Sequence, residues 1–188
     1  MDNRSNILLR ALELFAARGY DAVGVQEIVD AAGITKPTLY HYFGSKLGLL
    51  NAICDEHFSV LYKAVEQAAE YHHNVPLTLN RIAAAYFSYA DDNRIFYRMF
   101  LSAWFAPPDS DAFKAVSRLN ETQQRLMENL FIEAAKDHGN MKGRHQAYAA
   151  TFLGMVNTYI GLFLNGYIRL NRDLTYKAVH QFMHGIFS

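Results

Sequence analysis

Gly33-Ile34-Thr35-Lys36-Pro37-Thr38-Leu39-Tyr40-His41-Tyr42-Phe43-Gly44-Ser45-Lys46-Leu47-Gly48-Leu49-Leu50 divides at its own breakers. Gly33 is placed to end a preceding helix on a left-handed residue. Thr35 stands at a cap position, and Pro37 falls in the first turn, where a missing amide hydrogen costs nothing. Gly44-Ser45 then breaks and recaps the chain, so the spacing predicts a short helix over 36–43. Its surface is mixed: Leu39 and Phe43 share one side, while Lys36, Thr38, Tyr40, His41 and Tyr42 offer hydrogen-bond donors. Just upstream, Gly24 precedes a second short helix from Val25 to about Ala32, with Glu27 suited to the positive end of its dipole. Two short helices joined by a glycine-containing turn form a frame whose second helix can enter a DNA major groove.

Working outward, Leu8, Ala11, Leu12 and Phe15 repeat at helical spacing between Arg4 and Arg18, and Gly19 stops that first helix. Downstream, Leu50, Ile53, Cys54, His57, Leu61, Ala64 and Ala68 line one side of a long helix expected from Lys46 to about Tyr71. Pro76 opens a helix to about Ala90, Asp91-Asp92-Asn93 caps the next, and Pro107-Pro108 ends that one. Asp109-Ser110-Asp111 caps a helix to about His138, and after Gly139 and Gly143 two more are expected, over 144–170 and 174–187. Strand-type alternation is absent. The predicted fold is all-α: a three-helix helix-turn-helix domain over 1–46, then a second all-helical domain over 47–188.

Charge gives no shortcut to this reading. The chain of 188 residues carries 18 basic and 18 acidic side chains. Over positions 1–50, Arg4, Arg10, Arg18, Lys36 and Lys46 are matched by Asp2, Glu13, Asp21, Glu27 and Asp30. A DNA contact must therefore come from local geometry instead of a basic field. Ser45-Lys46 supplies such geometry, because a cation at a helix N-terminus is disfavoured until a phosphate joins it there. The first ten residues do not read as a secretory signal, and the single Cys54 suits a reducing compartment, so a cytoplasmic location is expected. No nucleophile–base spacing and no phosphate-cradling glycine loop appear, so neither an enzyme nor a cofactor is expected.

The stretch 33–50, together with Ala11, Phe15, Gly19, Tyr20 and Ile28, resembles the signature of the tetracycline-repressor (TetR) family. The resemblance covers about the first quarter of the chain. It implies a DNA-binding domain over 1–46 and an effector-binding and dimerisation domain over 47–188, in a homodimer on a palindromic operator, usually a repressor released by a small molecule. Tyr40 and Lys46 match the family's usual phosphate contacts, and Lys36, Pro37, Thr38, His41 and Tyr42 its base-reading and backbone-contacting face. Thr35 matches the cap of that helix, and Gln26 a position from which the second helix reaches bases or phosphate. Two positions depart from the pattern: Gly24, where a Ser or Thr cap is common, and Val29, where alanine is common.

Residues 147–168 carry no charge and are long enough to span a bilayer, but Thr151, Asn157, Thr158 and Asn165 interrupt them with polar atoms. The expectation is therefore a helix buried in a dimer and not in a membrane. Ala147, Ala150, Thr151, Gly154, Thr158 and Gly161 form a stripe of small residues on which a second backbone can approach closely. Aromatic residues concentrate between Tyr86 and Phe105. Tyr62, Tyr86, Tyr89, Phe100, Trp104, Phe152 and Met155 are the candidate lining of a pocket for a small apolar or aromatic effector. Control by a protein partner, with no small-molecule effector, is the alternative. His180 and His184 share a helical face, but no third ligand can be named, so no metal is expected.

Overall fold

The computed structural model describes residues 2–185. Among these every regular element is helical: α1 (Asn3–Arg18), α2 (Val25–Ala32), α3 (Lys36–Phe43), α4 (Lys46–Ala68), α5 (Val75–Asp92), α6 (Arg94–Trp104), α7 (Asp111–Asp137), α8 (His145–Leu164) and α9 (Arg172–His184), with a short 3-10 turn at Gly139–Met141. The expected all-α fold is what the chain adopts.

Two expected ends shift and a third falls outside the described residues. The long helix stops at Ala68 instead of Tyr71. The helix expected over 144–170 stops at Leu164, where Asn165 and a left-handed Gly166 (φ +81°) turn the chain out of helical geometry. The last helix ends at His184, and the expected end at Phe187 lies outside the described residues.

The described chain forms two compact units that do not follow chain order: residues 1–59 with 94–119, and residues 60–93 with 120–188. The first unit thus adds α6 and the start of α7 to α1–α3 and the first part of α4. Its core is Ile7, Ala11 and Phe15 of α1, Ile28 of α2, Leu39 of α3, Leu49, Leu50 and Ile53 of α4, and Phe96 and Phe100 of α6. These apolar faces offset the marginal stability of the eight-residue helices α2 and α3, which would not form alone in water. Cys54 is buried in the same unit, and burial pushes its thiol up to about 12, so it is an inert packing residue.

His57 on α4 stacks on Phe96 with ring centroids 4.4 Å apart and planes within 9°. Burial there lowers its pKa, while Glu56 opposes the shift. The fold therefore favours the neutral ring. This contribution is present above the ordinary histidine value of about 6.5 and is lost as pH falls below it, when the unfolded chain takes up the proton first. The melting temperature is expected to drop between pH 7 and pH 5, and His57→Phe, which keeps a ring against Phe96, is expected to reduce that drop. An unchanged pH dependence in the variant would show that His57 does not contribute.

The second unit packs α5 against α8 and α9, with the later parts of α4 and α7. Ala149, Phe152, Val156 and Ile160 form the buried side of α8, and Phe152 meets Phe182 of α9 edge to face at 5.4 Å. The opposite side is open, and α8 is the one described helix long and apolar enough to cross a membrane. Within this core Tyr86 donates a hydrogen bond to Gln123 Oε1 at 2.7 Å, both side chains buried.

Candidate nucleic-acid interface

The α2–α3 turn is held by backbone chemistry. At its entry Glu27 Oε1 accepts the Gly24 N–H at 3.0 Å, and Glu27 also pairs with Arg18. The Gly24 amide first, and Arg18 second, hold the Glu27 carboxyl below its ordinary range. Only this half of a capping box exists, because Gly24 has no hydroxyl to bond back to the helix. At the exit Gly33 is left-handed (φ +64°), the Ile34 N–H reaches Val29 O at 3.0 Å, and Asn6 of α1 donates to Ala32 O at 2.8 Å. The sequence motif is thus tied to α1 before α3 begins.

Helix α3 sits on one buried anchor, Leu39, with Phe43 half-buried beside it. The remainder of its surface is available. Lys36, Pro37, Tyr40, His41 and Tyr42 are exposed, and Tyr40 and Tyr42 keep 45% and 43% of their surface in solvent. Thr38 is half-buried and shares a hydrogen bond of 2.9 Å with Thr35 Oγ1. Thr35 holds the expected N-cap position, yet its hydroxyl meets Thr38 and not a backbone amide. Gln26 lies exposed on α2, where it donates to Asp30 at 2.8 Å.

The α3–α4 junction sets the direction of that surface. Gly44 is left-handed (φ +71°), and Ser45 Oγ accepts the Gly48 N–H at 2.9 Å, capping α4. Gly48 is needed for a different reason: a Cβ there would lie 2.0 Å from the Phe43 carbonyl oxygen. Sequence reasoning passed over this residue, although a glycine in the first turn of an otherwise good helix is itself a signal. It also passed over Arg4, whose guanidinium lies 5.8 Å from the centre of the Phe43 ring and pairs with Glu56. Lys46 is half-buried with its ammonium 4.0 Å from the centre of the Tyr20 ring. Burial lowers its pKa, and Asp21, Asp111 and Glu27 oppose that shift.

The other candidate residues divide between the units. Phe100 is buried and Trp104 part-exposed against Phe113 in the first; Tyr86, Tyr89 and Phe152 are buried and Tyr62 and Met155 half-buried in the second. An open groove of about 660 Å³ between α5 and α9 is lined by none of these seven. In the core of the second unit Gln123 is the polar side chain that meets Tyr86, and its signal was a position in register with Met127 and Leu130 on the core side of α7. On α8, Ala147, Ala150, Thr151, Gly154 and Thr158 are exposed and Gly161 half-buried, so the small-residue stripe lies on the open side. Among the described residues no group of three or more metal-ligating side chains comes together.

An exposed, donor-rich second helix on a rigid helix-turn-helix defines a class, the DNA-binding transcriptional regulators. Residues 7–53 match the family model described as bacterial regulatory proteins, tetR family, and the chain is a DNA-binding transcriptional regulator similar to that family. Over 185 residues it is 26% identical to the HTH-type transcriptional activator FasR of Mycolicibacterium smegmatis, covering 98% of this chain and 82% of that protein. The HTH-type transcriptional repressor BdcR of Escherichia coli is 48% identical over 44 residues, 23% of this chain and 22% of the repressor. In three dimensions the chain resembles the transcriptional regulator FadR of Bacillus subtilis, solved in complex with stearoyl-CoA, with a TM-score of 0.77, 16% identity, and 97% and 98% of the two chains covered.

If Tyr40 and Lys46 contact phosphates, Tyr40→Phe and Lys46→Ala are expected to weaken binding to all duplexes alike, and Lys46→Ala to lower the salt slope by about one. Anisotropy titrations across a salt series check this in variants whose circular dichroism stays native. A changed sequence preference with an unchanged slope would refute the phosphate assignment.

Proposed function

We propose that the chain acts in the cytoplasm as a homodimeric repressor. It binds a palindromic operator through α3 of each copy and releases it when an apolar small molecule occupies the second unit. The observation that carries the DNA half is the open face of α3, with Leu39 buried behind Lys36, Tyr40, His41 and Tyr42. Gln26, Thr35, Pro37 and Thr38 border that face, and Lys46 supplies a cation at the start of α4. Dimerisation is supported by the open small-residue side of α8, which leaves an apolar helix uncovered in a single copy. Repression follows from occupancy alone, since a dimer seated on an operator blocks other proteins. Activation is the second reading, favoured by the full-length likeness to an activator. A reporter placed behind the operator separates the two by sign.

The effector half rests on the aromatic set Tyr62, Tyr86, Tyr89, Phe100, Trp104, Phe152 and Met155, with the Tyr86–Gln123 pair as a polar anchor in an apolar core. A long-chain acyl thioester is the first class to try, because a regulator of like fold holds one. Helix α4 begins at Lys46 and carries Tyr62. An effector beside Tyr62 would therefore tilt a helix that starts at the DNA. Coupling of this kind is worth about 1–3 kcal/mol, a weakening of roughly 5- to 150-fold.

Reciprocity gives the test. Stearoyl-CoA is titrated into the protein alone and into its complex with a duplex recovered by binding selection, and the affinity ratio is expected to equal the weakening of DNA binding. Equal affinities in the two titrations would exclude that compound as the effector. Failure of a wider apolar panel would favour control by a protein partner, the reading that the close packing of Tyr86, Tyr89, Phe100 and Phe152 supports.

A further inference from the structure

Lys46 is not free to serve a phosphate without leaving something. Its ammonium lies over the Tyr20 ring, and the hydroxyl of that same ring donates to Asp111 Oδ2 at 3.4 Å. Asp111 is the first residue of α7, 91 positions beyond Tyr20, and belongs to the same compact unit. Tyr20 itself is buried against Phe15, with ring centroids 5.2 Å apart, so it is a fixed platform. Burial first, and Asp111 second, push its hydroxyl up to about 12, which keeps it a donor.

Three carboxylates share the neighbourhood of Lys46: Asp21, Asp111 and Glu27. Glu27 is occupied by Arg18 and the Gly24 amide, and Asp21 adjoins Tyr20 in sequence on the exposed α1–α2 turn. Asp111 alone of the three is brought in from outside α1–α4 and their connecting turns. Its carboxylate accepts from the hydroxyl of the Tyr20 ring over which Lys46 lies.

We propose that Asp111 is an internal competitor of the DNA backbone for Lys46, so that the first turn of α7 sets how tightly the helix-turn-helix holds DNA. A phosphate arriving at Lys46 meets the field of a carboxylate held at the hydroxyl end of the same ring, and that field subtracts from its binding. The contribution is general to all sequences, because it acts on the backbone contact and not on bases. It is also salt-sensitive, since the groups are part-exposed and screening shortens their reach. The proposal rests on Lys46 being a phosphate contact, and the test separates the two.

The experiment is a double-mutant cycle. Binding of the full chain to a random-sequence duplex is measured by anisotropy for the wild type, Asp111→Asn, Lys46→Ala and the double variant. Asp111→Asn is expected to tighten binding about threefold at about 50 mM salt, with the gain shrinking by about 200 mM. In the Lys46→Ala background the same change is expected to have no effect, and Asp111→Glu is expected to restore wild-type binding. Because an acidic residue in the first turn also favours α7, melting is recorded for each variant. If Asp111→Asn does not fold, Asp111→Ser, which also removes the charge and leaves the Ser110 cap on the Phe113 N–H in place, takes its place in the cycle.

Unchanged binding in Lys46→Ala would overturn the Lys46 assignment and the proposal with it. A normal loss in Lys46→Ala, with no gain or a loss in the uncharged position-111 variant, would overturn the competitor alone. An equal gain with and without Lys46 would reduce Asp111 to a contributor of general charge and overturn the proposal too.

Discussion

Gly48→Ala is expected to abolish DNA binding at concentrations where the wild type saturates. Two effects oppose each other at this position. Alanine in a helix is favoured over glycine by about 1 kcal/mol, so on propensity alone the variant would be more stable. Against that, the new Cβ would stand 2.0 Å from the Phe43 carbonyl oxygen, a backbone atom that cannot rotate away. Overpacking of this kind commonly costs about 1–3 kcal/mol, and here relief requires the end of α3 to move relative to α4. The cost wins, and it falls on the helix that carries Tyr40, His41 and Tyr42. We expect affinity for a duplex to fall about a hundredfold or more, with a lower melting temperature for the unit that holds α3. Wild-type affinity with a raised melting temperature would mean that propensity decides and that the junction is looser than its geometry implies.

Gly154→Leu is the second large effect, and its sign depends on what covers α8. In a single copy nothing lies within 4 Å of a Cβ at Gly154, so the larger side chain has room and the helix gains propensity. A lone chain would therefore tolerate the change. If the open stripe of Ala147, Ala150, Thr151, Gly154 and Thr158 is the seam between two copies, leucine overfills it and the backbones separate. We expect a folded monomer, or insoluble protein, in place of a dimer, and operator affinity down by about a hundredfold or more as one of two half-sites is lost. Sedimentation at micromolar concentration checks it. A wild type that sediments as a monomer, or a variant that remains a dimer with unchanged affinity, would remove α8 from the interface.

The N-terminal helices were legible because their punctuation is local. Gly19, Gly33 and Gly44 are all left-handed in the structure, where the breakers in the sequence placed the helix ends. The exposed donors of α3 were legible for the same reason, since Leu39 alone fixes which side faces inward. What was not legible depends on contacts distant in sequence. No local pattern announces that Asp111 reaches Tyr20, that Gln123 meets Tyr86, or that residues 94–119 join the N-terminal helices in one compact unit. The Thr35 hydroxyl illustrates a finer limit: its cap position was readable, but its partner is another side chain, Thr38, whose rotamer sequence does not specify. The end of α8 was placed late because its apolar run continues through Tyr167 and Ile168, while Asn165-Gly166 had already turned the chain.

The most direct test of the account is selection of a random-sequence duplex library on the wild-type protein, followed by sequencing of the bound pool. A dimer reading through α3 is expected to enrich an inverted repeat with half-site centres about 34–36 Å apart, or a multiple of that. His41→Ala is expected to change the preferred bases in both halves together while leaving the spacing intact. Enrichment of a single unrepeated site, or of no sequence at all, would contradict the reading of α3 as the paired recognition helix of a homodimer.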